Sequence, residues 1–188
     1  MNYGLVTGMG RSGTTWLAHA LREATDLDAA HESRGAVGEF CACPGVVEVN
    51  SYWRFKVEQF RLQFPRAVIV QLVRDGRDVV RSSWGRHPEW SFDEACGHWV
   101  EANRLVGPFA DVTFRLEDLT APAHMSRALL CSHFGVDYVP GRWTPLLSQP
   151  KNGTGHHPVE HWNDWKPFRR RRFRTLCGET RARLGYEV

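Results

Sequence analysis

The stretch Gly8-Met9-Gly10-Arg11-Ser12-Gly13-Thr14-Thr15 decides the fold. It follows Tyr3–Thr7, which reads as a buried first strand. It precedes Thr14–Thr25, where Trp16, Leu17, Ala20 and Leu21 fall on one helical face. Strand, glycine-rich turn and helix form the setting of a phosphate-binding loop, G-x-x-x-x-G-K-[ST]. Glycines let backbone N–H groups turn inward, and the helix adds its positive end. Gly8, Gly13 and Thr15 match that pattern, but Thr14 stands where lysine is usual, and the cation is Arg11 instead. A kinase or ATPase places that lysine on the β- and γ-phosphates and employs magnesium. The sequence offers neither the lysine nor a strand ending in an obvious magnesium-binding Asp. Arg11, Ser12, Thr14 and Thr15 can all donate to an anion. The plainer alternative is a glycine turn that caps a helix.

Working outward, Ala67–Val73 is the clearest strand, and its continuous apolar run suits a strand covered on both faces. Val46–Val49 reads as a short strand and Val112–Leu116 as another. Helical spacing covers Trp53–Phe64, closed by Pro65, then Asp75–Trp84, Phe92–Val106, Ala123–Phe134 and Phe168–Leu184. Residues 26–51 otherwise resist assignment, and Pro140–Pro158 reads as irregular. Strands separated by helices predict an α/β class, a three-layer P-loop-like fold with a central parallel sheet flanked by helices. Ligands in such sheets bind beyond the carboxyl ends of the strands. Gly8–Thr15 and Arg74–Ser82 both directly follow strands and therefore share that edge.

The second motif is Val73-Arg74-Asp75-Gly76-Arg77-Asp78-Val79-Val80-Arg81-Ser82. Arg74 ends the strand, and Ser82 lies two helical turns further on, facing back over it. One guanidinium and one hydroxyl can converge there on a second phosphate. The alternative is an Arg74–Asp78 pair in an ordinary helix cap. A Rossmann dinucleotide site would instead show G-x-G-x-x-G and an acid about 20 residues later.

Together these motifs resemble the sulfotransferases that use 3′-phosphoadenosine 5′-phosphosulfate (PAPS). Arg11-Ser12-Gly13-Thr14-Thr15-Trp16-Leu17 is similar to their 5′-phosphosulfate loop. The resemblance implies that Arg11, Ser12, Gly13, Thr14 and Thr15 hold the 5′-phosphate and that Trp16 packs on adenine, a helix-core role being its alternative. It also implies that Arg74 and Ser82 bind the 3′-phosphate. Val-Arg-Asp-Gly-Arg is closest in style to tyrosylprotein-type and related bacterial members. Lys151-Asn152-Gly153 is similar to the late loop over the 3′-phosphate, which brings in Lys151 and Gly153, though Asn152 departs from the pattern. Phe114–Leu119 is similar to a familial strand end where Glu117 or Asp118 braces a loop. The likeness runs over nearly the whole chain, as a single domain spanning residues 1–188.

Sulfuryl transfer needs a group to take the acceptor proton and donors for the charge growing on the leaving phosphate. His31-Glu32-Ser33-Arg34 resembles the segment that carries the base in tyrosylprotein sulfotransferases, which puts that role on Glu32. His31 is the runner-up by proximity. Arg11 would stabilise the leaving group. The family often adds a lysine near residues 47–51, and this sequence has none there; Lys56 is nearest. By this logic no metal is required. The cofactor would be PAPS, leaving adenosine 3′,5′-bisphosphate, and the acceptor a small molecule, sugar or peptide. Trp84, Trp90, Trp99 and Trp143 are candidates to line its cleft or to fill the core. The rival functions are a P-loop phosphotransferase with a degenerate lysine position and a non-catalytic anion-binding module.

Composition sets the outer bounds. The chain has 188 residues, 42% hydrophobic and 24% charged, which is ordinary for a globular protein and excludes collagen, coiled coil and bulk disorder. No apolar run reaches the 18 residues or so of a membrane span. The N-terminus lacks the pattern of a signal peptide, so a cytoplasmic location is expected. Five cysteines are then expected as reduced thiols. The net charge of +3 hides an asymmetry. Residues 166–183 hold eight basic side chains and one acid, so this segment is +7 and the rest −4. Arg169–Arg172 and Arg174 suit either the solvated face of a terminal helix or a polyanion. Without aromatics in series they argue against nucleic acid.

Overall fold

A computed structural model describes residues 1–148 and 161–187. Five parallel strands, β1 (Gly4–Thr7), β2 (Asp28–His31), β3 (Val46–Val49), β4 (Val68–Val73) and β5 (Val112–Arg115), form one sheet in the order β2-β3-β1-β4-β5. Val6 of β1 pairs with Val49 on one side and Val70 on the other. Helices cover both faces, as the alternating pattern predicts.

One face buries Val6, Val49, Val70, Leu72 and Phe114 against three helices. These are α1 (Thr14–Ala24), α6 (Met125–Phe134) and α7 (Pro140–Leu147). The other face buries Leu5 and Ile69 against Phe40, Trp53 and Phe60, the last on α2 (Val57–Gln63). A third cluster joins α3 (Gly76–Arg86), α4 (Phe92–Val106) and α8 (Pro167–Arg183) around Trp99, Trp165 and Phe173. A short α5 (Leu116–Thr120) follows β5.

Four features depart from the sequence reading. β2 lies in the stretch that resisted assignment; Asp28-Ala29-Ala30-His31 has weak strand propensity, and pairing with β3 makes it a strand. Trp53–Phe64 is not one helix but a 3-10 turn (Tyr52–Phe55) and α2, separated at Lys56, whose φ of −120° is not helical. Pro140–Leu147 is helical rather than irregular, because Pro140 opens the helix where its missing N–H costs nothing. Finally, Cys41 and Cys43 are disulfide-bonded, their Cα atoms 5.4 Å apart in an exposed loop, while Cys96, Cys131 and Cys177 are free and buried. Disulfides persist in oxidising compartments, so this pair runs against the reducing setting expected.

The connections position the site. The chain leaving β1 passes over β3 to the outer strand β2, whereas the chain leaving β4 heads the other way, to β5. Loops after β1 and β4 therefore diverge, and a crevice opens at their carboxyl ends. Gly8 lets the first loop run close to β4: an added Cβ would lie 2.1 Å from the Leu72 carbonyl oxygen.

Candidate functional site

The loop after β1 turns through two left-handed residues. Gly13 (φ 95°) precedes α1, a conformation in which glycine carries no Cβ penalty. Arg11 (φ 74°) is one of two non-glycine residues with positive φ among those described; Glu32 (φ 50°) is the other. Such backbone costs about 1–3 kcal/mol and collects at functional sites. Here it falls on two of the residues to which the sequence assigns chemistry.

Arg11 points across the crevice. Its Nε donates to Ser82 Oγ at 2.8 Å, and its backbone carbonyl accepts from Arg74 Nη1 at 3.4 Å. The structure thus brings Arg11, Arg74 and Ser82 together. Burial, then the neighbouring guanidinium groups of Arg86 and Arg74, hold the Arg11 pKa below its ordinary value. Three like charges at one loop make a site that favours an anion. The sequence reading missed Arg86, although it lies four residues after Ser82 on the same helix. Arg74 also meets Asp78 at 3.1 Å, so its helix-cap contact and its place at the crevice coexist.

The start of α3 is braced from below. Asp75 caps the helix by accepting from the Arg77 N–H at 2.9 Å. Its own N–H donates to Glu117 Oε1 at 2.9 Å, the bracing role expected of that segment. Asp118 instead pairs with Arg115.

The second group of site residues sits at the end of β2. His31 Nε2 lies 3.2 Å from both the Thr14 and the Thr15 hydroxyls, at the first turn of α1. It is also 3.7 Å from Glu32 Oε1. Ser51 Oγ donates to the same Glu32 oxygen at 2.6 Å. An added Cβ at Gly10 would lie 3.9 Å from Ser51 Oγ, so Ser51 stands between this carboxylate and the glycine turn. Arg54 is close by, donating to the Ser51 carbonyl at 2.6 Å. Burial lowers its pKa, opposed by Tyr52, Glu101 and Glu32. Lys56 turns away, to the Gly35 carbonyl at 3.2 Å.

Glu48 on β3 holds this segment and was not singled out in the sequence. It is fully buried and accepts from Ser33 N–H (3.0 Å), Ser33 Oγ (2.8 Å), Arg34 Nη1 (2.7 Å) and Asn50 Nδ2 (3.0 Å). A carboxylate within the apolar run Val46–Val49 was the available signal, since buried charges need partners.

Ser12 is buried, and its N–H closes a turn onto the Met9 carbonyl. Trp16 is 7% exposed and donates to the Leu146 carbonyl on α7. Trp99 and Trp143 are core residues, while Trp84 and Trp90 are half-buried. Lys151 and Gly153 lie outside the described residues. Among the described residues, no group of three His, Cys, Asp or Glu side chains could hold a metal ion, and no helix is long and apolar enough to cross a membrane.

No family model matches the sequence, and no curated protein does. Solved structures do match the fold. Mouse sulfotransferase SULT7A1, complexed with PAP, aligns over 96% of this chain and 85% of its own, with a TM-score of 0.66 and 14% identity. The sulfotransferase domain of the Synechococcus PCC 7002 olefin synthase aligns over 100% and 96%, with a TM-score of 0.63 and 15% identity. A sulfotransferase from Alicyclobacillus acidocaldarius gives the same coverage, with a TM-score of 0.59 and 14% identity. The fold is that of the sulfotransferases. At these identities the likeness is one of architecture, and the α/β, P-loop-like arrangement expected from the sequence is the one observed.

Proposed function

We propose that residues 1–188 act as one sulfotransferase domain that moves a sulfuryl group from PAPS to a hydroxyl or amine acceptor by in-line displacement. The observation that carries this reading is the meeting of Arg11, Arg74 and Ser82 where the loops after β1 and β4 diverge. The residues fit a doubly phosphorylated nucleotide: one strand end offers loop amides and hydroxyls, the other a guanidinium and a serine. PAPS, when bound, supplies the sulfuryl group and a bisphosphate leaving group. Gly13, Thr14 and Thr15 bind the 5′-phosphate at the positive end of α1. Ser12 shapes that turn, and Trp16 forms its floor on the adenine side. Arg11 is placed to stabilise charge on the leaving oxygen, an effect of several kcal/mol for a well-aimed donor. Arg74 and Ser82 hold the 3′-phosphate, with Lys151 and Gly153 assigned to the same group.

Glu32 takes the acceptor proton. Its carboxylate is oriented by Ser51 on one oxygen, with His31 between it and the loop hydroxyls. His31 remains the second candidate for the base. The acceptor is a small molecule, a sugar or a peptide. A cytoplasmic setting belongs to the same reading, with the Cys41–Cys43 bond standing against it.

The test is thermal stabilisation by adenosine 3′,5′-bisphosphate without metal, compared with ATP plus magnesium. The bisphosphate is expected to give the larger shift. A larger shift with ATP and magnesium overturns the reading in favour of phosphoryl transfer. Transfer of labelled sulfate to an acceptor panel then follows.

A further inference from the structure

The basic stretch at the start of α8 is more ordered than a solvated helix face. Arg170 donates from Nε to the Trp165 carbonyl at 2.9 Å and from Nη2 to the Asn163 carbonyl. Arg170 and Arg174 lie over the Trp162 ring at 5.9 and 5.8 Å, and Arg77 of α3 approaches the same ring at 5.5 Å. Arg169 lies over Trp84 at 4.8 Å. A guanidinium resting on an aromatic face keeps its in-plane N–H groups directed elsewhere. Its rotamers are already restricted, so binding an anion costs less ordering.

Charge on this face is in surplus. Arg172 is matched by Asp93 at 2.5 Å, but Glu179 is the one acid within residues 166–183. Lys166, Arg171 and Arg174 are exposed. The surface continues along α3, where Arg81 meets His161 at 2.9 Å. Arg77, which pairs with Asp75 at 2.5 Å and lies over Trp162, stands one helical turn beyond Arg74, where this face meets the crevice.

We propose that this face docks an anionic polysaccharide, a chain that carries sulfate or carboxylate groups beside free hydroxyls. Nucleic acid fits less well. Single-strand readers offer open aromatic faces to successive bases, whereas here arginines crowd Trp162, Trp165 is buried, and Phe168 is the one strongly exposed aromatic of the stretch. The preference for a polysaccharide over an acidic peptide rests on the proposed sulfuryl transfer, because such a polymer carries acceptor hydroxyls along its length.

The experiment follows a labelled heparin oligosaccharide by fluorescence anisotropy. Binding is expected to weaken as salt rises from about 50 to 200 mM. The double variant Arg171→Gln/Arg174→Gln should weaken it about tenfold with an unchanged melting temperature. Arg66→Gln/Arg104→Gln, which removes two exposed charges elsewhere, should leave it unchanged. Equal loss in both double variants, or no loss in the first, overturns the proposal. So does displacement by polyglutamate or polyadenylate as effective as that by unlabelled heparin. Adenosine 3′,5′-bisphosphate binding is measured on the same samples. Its absence in the wild-type chain sinks the reading of the reaction, whereas the heparin outcomes decide the surface.

Discussion

Arg11, in the loop after β1, donates from Nε to the hydroxyl of Ser82, two turns into α3, at 2.8 Å. Two sequence motifs separated by 71 positions thereby become one polar site, and Arg74 closes it from the strand end. Arg11→Ala and Arg74→Ala should each raise the Kd for adenosine 3′,5′-bisphosphate by roughly 10- to 100-fold, the scale of a charged hydrogen bond. Ser82→Ala, which removes a neutral partner, should cost about threefold to tenfold. Calorimetric titration gives all three. Equal, small effects would remove the case for a phosphate site.

Asp78 competes for the same guanidinium. Its 3.1 Å contact with Arg74 is partly exposed on both sides, and pairs of that kind contribute at most about 1 kcal/mol. A phosphate entering the crevice meets that carboxylate as a like charge. Asp78→Asn should therefore tighten bisphosphate binding severalfold and steepen its salt dependence. Weaker binding in the variant would mean that Asp78 orients Arg74 rather than opposing the ligand.

Glu32 and His31 can be separated by what each leaves intact. Glu32→Gln keeps the acceptor for Ser51 Oγ and removes the proton-accepting charge. Turnover of labelled sulfate should fall by about 10²- to 10⁴-fold while bisphosphate affinity stays within error. His31→Asn should act mainly on cofactor affinity, because its ring nitrogen faces Thr14 and Thr15. The reverse pattern would move the base to His31.

Glu48 should reveal itself first in stability. Glu48→Ala leaves Arg34, Ser33 and Asn50 without their buried acceptor and should cost about 3–5 kcal/mol in denaturant unfolding. Glu48→Gln keeps shape and part of the bonding and should cost less. If Glu48 positions the Glu32 segment, turnover in the Gln variant falls with little change in bisphosphate affinity.

Asp75 predicts an acid-side slope. Burial raises its pKa, but hydrogen bonds from Arg77 and the charge of Arg181 outweigh this, so the carboxyl lies below its ordinary value. A depressed folded pKa stabilises the fold above the unfolded value of about 3.9, and that contribution is lost as pH falls through the folded value. Asp75→Asn retains an acceptor for the Arg77 N–H and drops the charge. Urea midpoints should fall more steeply below about pH 4 in the wild type than in the variant. Parallel slopes would assign the acid sensitivity elsewhere.

The glycine-rich loop after β1, β4 and the Arg74–Ser82 spacing are legible in the sequence because their signals are local: glycines, a long apolar run, and two helical turns. β2 is not, since Asp-Ala-Ala-His becomes a strand only by pairing with β3. α7 is hidden by prolines that usually read as breakers, one of which opens the helix while Pro145 lies inside it. Arg54, Arg86 and Glu48 join the site through tertiary neighbours that residue spacing cannot name. The C-terminal arginines read as bulk charge until Trp162 and Trp84 are seen beneath them.

Glu117 ties the turn after β4 to the chain beyond α8. One of its oxygens accepts the Asp75 N–H, and the other accepts the Tyr186 hydroxyl at 2.9 Å, 69 positions away in the chain. Burial pushes the Tyr186 pKa up, so this hydroxyl stays a donor. Strands β1 and β4 can pair as soon as both have been synthesised, but the turn that aims Arg74 gains its outer buttress only after residue 186 has emerged. During synthesis the turn after β4 is therefore the later of the two loops at the crevice to gain the bonds described for it.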